Sequence, residues 1–207
     1  MIRLVALELY PDNSTLYAYD ALLDFNFLDH ASEHRLEQGF SGHPRSQKFF
    51  TIGECMNLRI EIWNAEEGYS QSAEVVLRED TVRAVIVPFS ISPSRSRAGI
   101  MITNMMRDLE LLVRQDAGEY ALVFEIKLRN DPEYLSSSEY QEDVAGGFTQ
   151  ECCYLTFYRA RKSEFVEPKV LRTDAWTSPP YFFGHYTPLN PTYPLVLDAE
   201  PTCPQTQ

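Results

Sequence analysis

The amino-acid sequence predicts an all-β protein: an antiparallel β-sandwich or barrel with one short helix and an extended Pro/aromatic-rich C-terminal arm. Three observations carry this expectation. Short apolar runs, many with alternating polarity, recur from Leu4 to Ala160 with turn formers between them. Helical periodicity is nearly missing, and parallel strands would need crossover helices of ten or more residues. Seven of the 13 prolines fall between Pro179 and Pro204, where they remove backbone donors and block ladder pairing.

The elements follow in order. Leu4 to Tyr10 is an apolar run that stops at Pro11-Asp12-Asn13-Ser14. Thr15 to Tyr19 is a second strand and Leu22 to Leu28 a third. Asp29 to Gln38 reads as the short helix, capped by Asp29 and ended by Gly39 in the left-handed region. Ser41 to Ser46 reads as a polar loop. Asn57 to Trp63 alternates, with Leu58, Ile60 and Ile62 on one face and Arg59, Glu61 and Trp63 on the other. Ser72 to Leu77 and Thr81 to Phe89 suit a hairpin through Arg78-Glu79-Asp80. Gly99 to Thr103, Leu109 to Val113, Glu119 to Leu128 and Cys152 to Ala160 complete the series. Residues 1–165 are expected to form the sandwich. Residues 166–207 form the arm, whose Tyr181, Phe182, Phe183, Tyr186 and Tyr193 suit packing on the body or on a partner.

Composition bounds the function. With 207 residues, 44% hydrophobic and 23% charged, the chain can bury a core and is not disordered throughout. Thirty acids against 18 bases give a net charge of −12, a field that repels nucleic acid and anionic membrane and favours a basic partner or simple solubility. There is no run of eighteen apolar residues, and Glu8 interrupts a start that lacks the regions of a signal peptide. Cys55, Cys152, Cys153 and Cys203 have neither disulfide-framework nor zinc spacing, so a cytoplasmic location is expected.

Chemistry-bearing patterns are few. His30 and His34 share a helix face at i and i+4, with His43 nearby, but the order Asp29-His30-Ala31-Ser32-Glu33-His34 is not a metalloprotease motif. A solvated face is the simpler reading, and no metal is expected. Ser94-Arg95-Ser96-Arg97 reads as a hairpin tip. In Cys152-Cys153 the side chains point to opposite faces, and the neighbouring Glu151 disfavours a thiolate. Nucleophile-elbow, P-loop and dinucleotide motifs are absent, so no catalytic residue and no cofactor are expected.

The most informative stretch is Asn130 to Asp143. It holds Asp131, Glu133, Glu139, Glu142 and Asp143 without a lysine or arginine, interleaved with Tyr134 and Tyr140, and reads as a long loop between two strands. Such carboxylates can stand where phosphates sit in a nuclease cleft, and the rings can stand where bases stack. A solvated acidic loop is the plainer alternative.

The segment order carries a resemblance. Thr81 to Phe89 ends in Val-Pro-Phe; Gly99-Ile100-Met101-Ile102 follows. Leu109 to Val113 then leads through Asp116-Ala117-Gly118-Glu119-Tyr120 into Ala121 to Glu125, and Cys153-Tyr154-Leu155-Thr156-Phe157 closes the pattern. This resembles the competence protein ComJ (Nin) family, inhibitors of a DNA-entry nuclease, over about residues 1–165. The acidic insert between Leu128 and Cys152 and the arm after about residue 170 exceed the family pattern. The resemblance implies a non-enzymatic inhibitor that binds a nuclease, in competence or as the immunity partner of a nuclease toxin. It transfers no contact residues, so Asp131, Glu133, Tyr134, Glu139, Tyr140, Glu142 and Asp143 are expected as the partner-binding set on charge alone. The rival expectations are an adaptor module that binds through the arm and a carboxylate-based hydrolase.

Overall fold

The computed structural model describes residues 1–9, 15–23, 37–52, 58–72, 74–94, 98–104, 110–130, 132–146, 150–161, 164, 166–173, 189–191 and 195–198. Alternation along the chain builds two sheets facing each other. The first, sheet A, holds six strands in the order β1 (Ile2–Leu9), β5 (Leu58–Asn64), β10 (Glu151–Arg159), β9 (Gly118–Leu128), β6 (Thr81–Ile91) and β11 (Lys169–Arg172). Sheet B holds five, in the order β3 (Phe40–His43), β4 (Ser46–Phe50), β2 (Thr15–Asp20), β7 (Gly99–Thr103) and β8 (Glu110–Arg114). Two short helices, α1 (Pro132–Leu135) and α2 (Ser138–Gly146), link β9 to β10.

The core lies between the sheets. Leu58, Ile60 and Ile62 of β5 turn inward with Leu122, Phe124 and Ile126 of β9, as their period of two requires. Sheet B answers with Leu16, Phe40, Phe49, Ile100 and Ile102. Phe49 stacks on Phe124 across the gap at 4.5 Å between ring centroids, and Phe157 meets Phe89 and Tyr120 edge-on at 5.6 and 5.9 Å.

Several local expectations change. Among the described residues the pairing is antiparallel with one exception: β5 and β10 run parallel, with Cys153 opposite Ile60. Their connection passes through β6 to β9 and both helices, so no single crossover helix was needed. The polar stretch from Ser41 to Ser46 is a tight hairpin rather than a loop. Gly42 makes it possible: its φ is +130°, and a Cβ there would sit 2.1 Å from the Ser46 carbonyl oxygen. The hairpin expected from Ser72–Leu77 and Thr81–Phe89 does not form. Residues 74–78 instead lie over the outer face of sheet A, where Val75 and Leu77 pack on the cluster of Ile86, Ala121 and Val123. The Arg78 N–H goes to the Glu125 carboxylate at 2.8 Å, so the turn is anchored by a side chain instead of a ladder. The proposed third strand spans residues 22–28, of which 22 and 23 are in a turn and 24–28 lie outside the described residues. Most of the short helix, with His30 and His34, lies outside them as well, but its expected stop at Gly39 has φ +80°.

The described part of the C-terminal arm joins the body. Leu189, Leu195 and Leu197 pack on the main core, and a Cβ on Gly39 would clash with Leu189. The Gln38 side-chain amide exchanges two hydrogen bonds with the backbone of Val196. The Asp198 N–H then reaches the Gly42 carbonyl at 2.7 Å, so the arm tracks along the β3 edge.

Charged groups hold the outer layers. Asp20, fully buried, accepts Arg45 Nε and Nη2 at 2.9 and 2.8 Å. Glu125, also buried, accepts from the Arg78 guanidinium, the Arg78 N–H and the Thr81 hydroxyl. The Arg78 guanidinium lies 4.3 Å from the Tyr154 ring centroid and 5.3 Å from that of Trp63.

Candidate protein-binding surface

The acidic stretch folds into α1 and α2 instead of remaining a loop. Pro132 starts α1 with its fixed φ, and the Ser137 hydroxyl accepts the Tyr140 N–H at 3.1 Å to cap α2. Glu139 stands in the first turn of α2, where the helix dipole favours a carboxylate. Ser136 and Ser137 return hydrogen bonds to the carbonyls of Pro132 and Tyr134, which satisfies the short helix end.

A polar cluster fastens this pair of helices to the end of sheet A. The Tyr134 ring is only 2% exposed, and its hydroxyl donates to Asp143 Oδ2 at 2.8 Å. Gln150, at the foot of β10, donates from Nε2 to Glu139 Oε1 at 2.7 Å and to Asp143 Oδ2 at 2.9 Å. Arg129, just past β9, lies 4.3 Å from the Tyr134 ring centroid and 3.5 Å from Glu139. The Tyr140 ring meets Tyr134 edge-on at 5.3 Å. Burial, with the Asp143 hydrogen bond second, pushes the Tyr134 phenol far above its ordinary value, so it remains a donor.

The expected partner-binding residues therefore divide by position. Tyr134, Glu139 and Asp143 are tied into the cluster that shapes the segment. Glu133 and Glu142 are exposed, and their carboxylates make no hydrogen bond or ion pair among the described residues. Tyr140 is half-buried, and Leu135 is 42% exposed. Asp131 lies outside the described residues. Sequence reasoning missed Arg129 and Gln150, which organise the segment. Their signal was positional: one base and one amide flank a run that otherwise lacks a cation.

Other patterns carry less chemistry. Cys153 faces the core and Cys152 the outer side; burial pushes both thiols up, Cys153 strongly. His43 is buried in β3 and accepts the Arg45 N–H at its Nδ1, at 3.3 Å. Among the described residues, no group of three or more His, Cys, Asp or Glu side chains is arranged to hold a metal ion, and no helix is long and apolar enough to cross a membrane.

Comparison with known proteins gives one family. A model of the family "Competence protein J (ComJ)" matches residues 12–157, more than half of the chain. Among solved structures, the crystal structure of ComJ from Bacillus subtilis, described as an inhibitor of the DNA-degrading activity of NucA, is 16% identical. It covers 76% of this chain and 98% of its own, with a TM-score of 0.47. The structure described as crocagin biosynthetic gene J is 10% identical and covers 76% of this chain and 96% of its own, with a TM-score of 0.37. No curated protein matches the chain.

Proposed function

Since the chain belongs to the competence protein J family, we propose that it is a non-enzymatic inhibitor that binds and blocks a DNA-degrading nuclease. The family match over residues 12–157 is the observation that carries this reading. The outward carboxylates of Glu133 and Glu142 stand in for substrate phosphates before a basic cleft. Half-buried Tyr140 and exposed Leu135 add contact area beside them. A net charge of −12 steers such a partner toward the inhibitor from a distance. The Tyr134–Asp143–Gln150 cluster supports the reading because a segment shaped before binding loses less entropy when it docks.

We take the cell compartment as cytoplasmic on the cysteine spacing, which suits neither a disulfide framework nor a zinc site. The adaptor reading rests on Tyr181, Phe182, Phe183, Tyr186 and Tyr193, which lie outside the described residues, while Leu189, Leu195 and Leu197 of the arm pack on the core.

The test starts from a pull-down with the full chain in native cell extract, followed by an assay of DNA degradation. A basic nuclease should be recovered, and added protein should suppress it. Glu133→Lys with Glu142→Lys should slow association about tenfold and flatten its salt dependence. Eluates without nuclease activity, together with undiminished DNA degradation, would sink the inhibitor reading. Normal inhibition by the double variant would move the contact off this segment.

A further inference from the structure

We propose that the outer face of sheet A carries a second binding site, a cleft that accepts an extended peptide strand from a partner protein. The cleft has a volume of about 860 Å³. Ile86 of β6 forms its floor, Val75 and Leu77 one wall, and Leu171 of β11 the other, with Tyr69 at one end.

The first wall is what selects a peptide. Residues 74–77 belong to no strand, and among the described residues none of their backbone N–H or C=O groups makes a hydrogen bond. Val75 and Leu77 pack downward while Val76 between them is 77% exposed, which is the alternation of a β-strand without a neighbour. Unpaired backbone beside an apolar floor is a template for strand addition. Main-chain hydrogen bonds supply affinity, and every second side chain of the guest enters the cleft.

Charge gives the guest a direction. Glu167 lines the cleft at the end where the Tyr69 N–H is held by the Arg159 carbonyl, so that end is acidic. At the other end Arg172 is held by the Thr81 carbonyl at 2.9 Å, and Lys169 stands between the two ends, opposite Ile86. The fitting occupant is an extended segment with apolar residues at alternate positions, a lysine or arginine toward Tyr69 and an acid toward Arg172. This site does not rest on the nuclease reading, because the β11 wall lies beyond the residues that the family model matches.

The test pans a displayed library of random heptapeptides against the full chain. Alternating apolar sequences with the stated charge direction should enrich. The consensus peptide should slow amide hydrogen exchange at 74–77, and Leu171→Glu at the half-buried edge of the cleft should weaken its binding about tenfold or more. Methylating alternate amides of the peptide should weaken it as much, a control that leaves the protein's own folding untouched. The proposal is overturned if no such pattern enriches, if exchange at 74–77 stays unchanged, or if both the methylated peptide and the Leu171→Glu protein bind normally.

Discussion

Replacing Tyr134 by Phe removes one oxygen from the centre of the acidic segment. The lost bond is a 2.8 Å donation to the Asp143 carboxylate from a ring that is almost wholly buried. A hydrogen bond to a charged group contributes about 1.5–3 kcal/mol. Asp143 is half-buried and keeps the Gln150 amide at 2.9 Å, so part of the loss is recovered and the low end applies, about 1.5 kcal/mol. The ring itself is preserved, and with it the contacts to Arg129 and Tyr140. That energy corresponds to about a tenfold rise in the population of the opened segment. Amide hydrogen exchange across 138–146 should therefore accelerate about tenfold, with little change in the β-sheet amides. On the proposed function, nuclease inhibition should weaken by no more than that factor, since the outward Glu133 and Glu142 are intact. Identical exchange in the Phe variant and the parent protein would refute the claim that this cluster holds the segment in shape.

Other outcomes follow from the same reasoning. Glu125→Ala strips three donors of their acceptor and leaves the Arg78 guanidinium largely buried, which should cost about 3–5 kcal/mol in urea unfolding; a loss below about 1 kcal/mol would mean the pair acts as a surface one. Gly42→Ala places a methyl 2.1 Å from the Ser46 carbonyl oxygen at φ +130° and should lower stability by about 2 kcal/mol or more, read as a fall in melting temperature. Leu189→Ala should cost about 2–3 kcal/mol by the same measurement, because Leu189 is 6% exposed and packs on the core beside Gly39. Burial pushes the Tyr154 phenol up to about 12, and Tyr69, Tyr120 and Tyr158 rise too. The folded state holds these groups protonated, so their contribution is complete below the unfolded value of 10 and is lost as pH rises above it, for Tyr154 through about 12. Urea midpoints should fall across that window, and a Tyr154 titration near 10 by tyrosinate absorbance would contradict it.

The strands were legible where one face is dry. In β5 and β9 the two-residue period is written in the side chains, and Leu58, Ile60, Ile62, Leu122, Phe124 and Ile126 all turn to the core. The β3–β4 hairpin was not legible, because its inward Phe40 and Phe49 are separated by polar residues that are themselves buried, Ser41, His43, Ser46 and Gln47 among them. Their burial depends on tertiary cover that no local pattern announces. The helices α1 and α2 were read as loop because they span four and nine residues, too short for an apolar stripe. Their start and stop signals, Pro132, Ser137 and Gly146-Gly147, were nonetheless present. At the candidate surface the residue types were readable and their orientation was not: whether a tyrosine faces solvent or a carboxylate depends on Arg129 and Gln150, which lie outside or at the margin of the acidic run.

The parallel pairing of β5 with β10 sets a timetable for biosynthesis. β5 ends at Asn64, yet its inner neighbour β10 begins at Glu151. Until that late stretch leaves the ribosome, β1 and β5 have only each other in sheet A, and a two-stranded ribbon is marginal in water. Nascent chains thus carry an unfinished sheet through most of translation, exposed to chaperones and to mispairing. A stalled or truncated product lacking β10 would be expected to go to proteolysis instead of persisting as a partial fold.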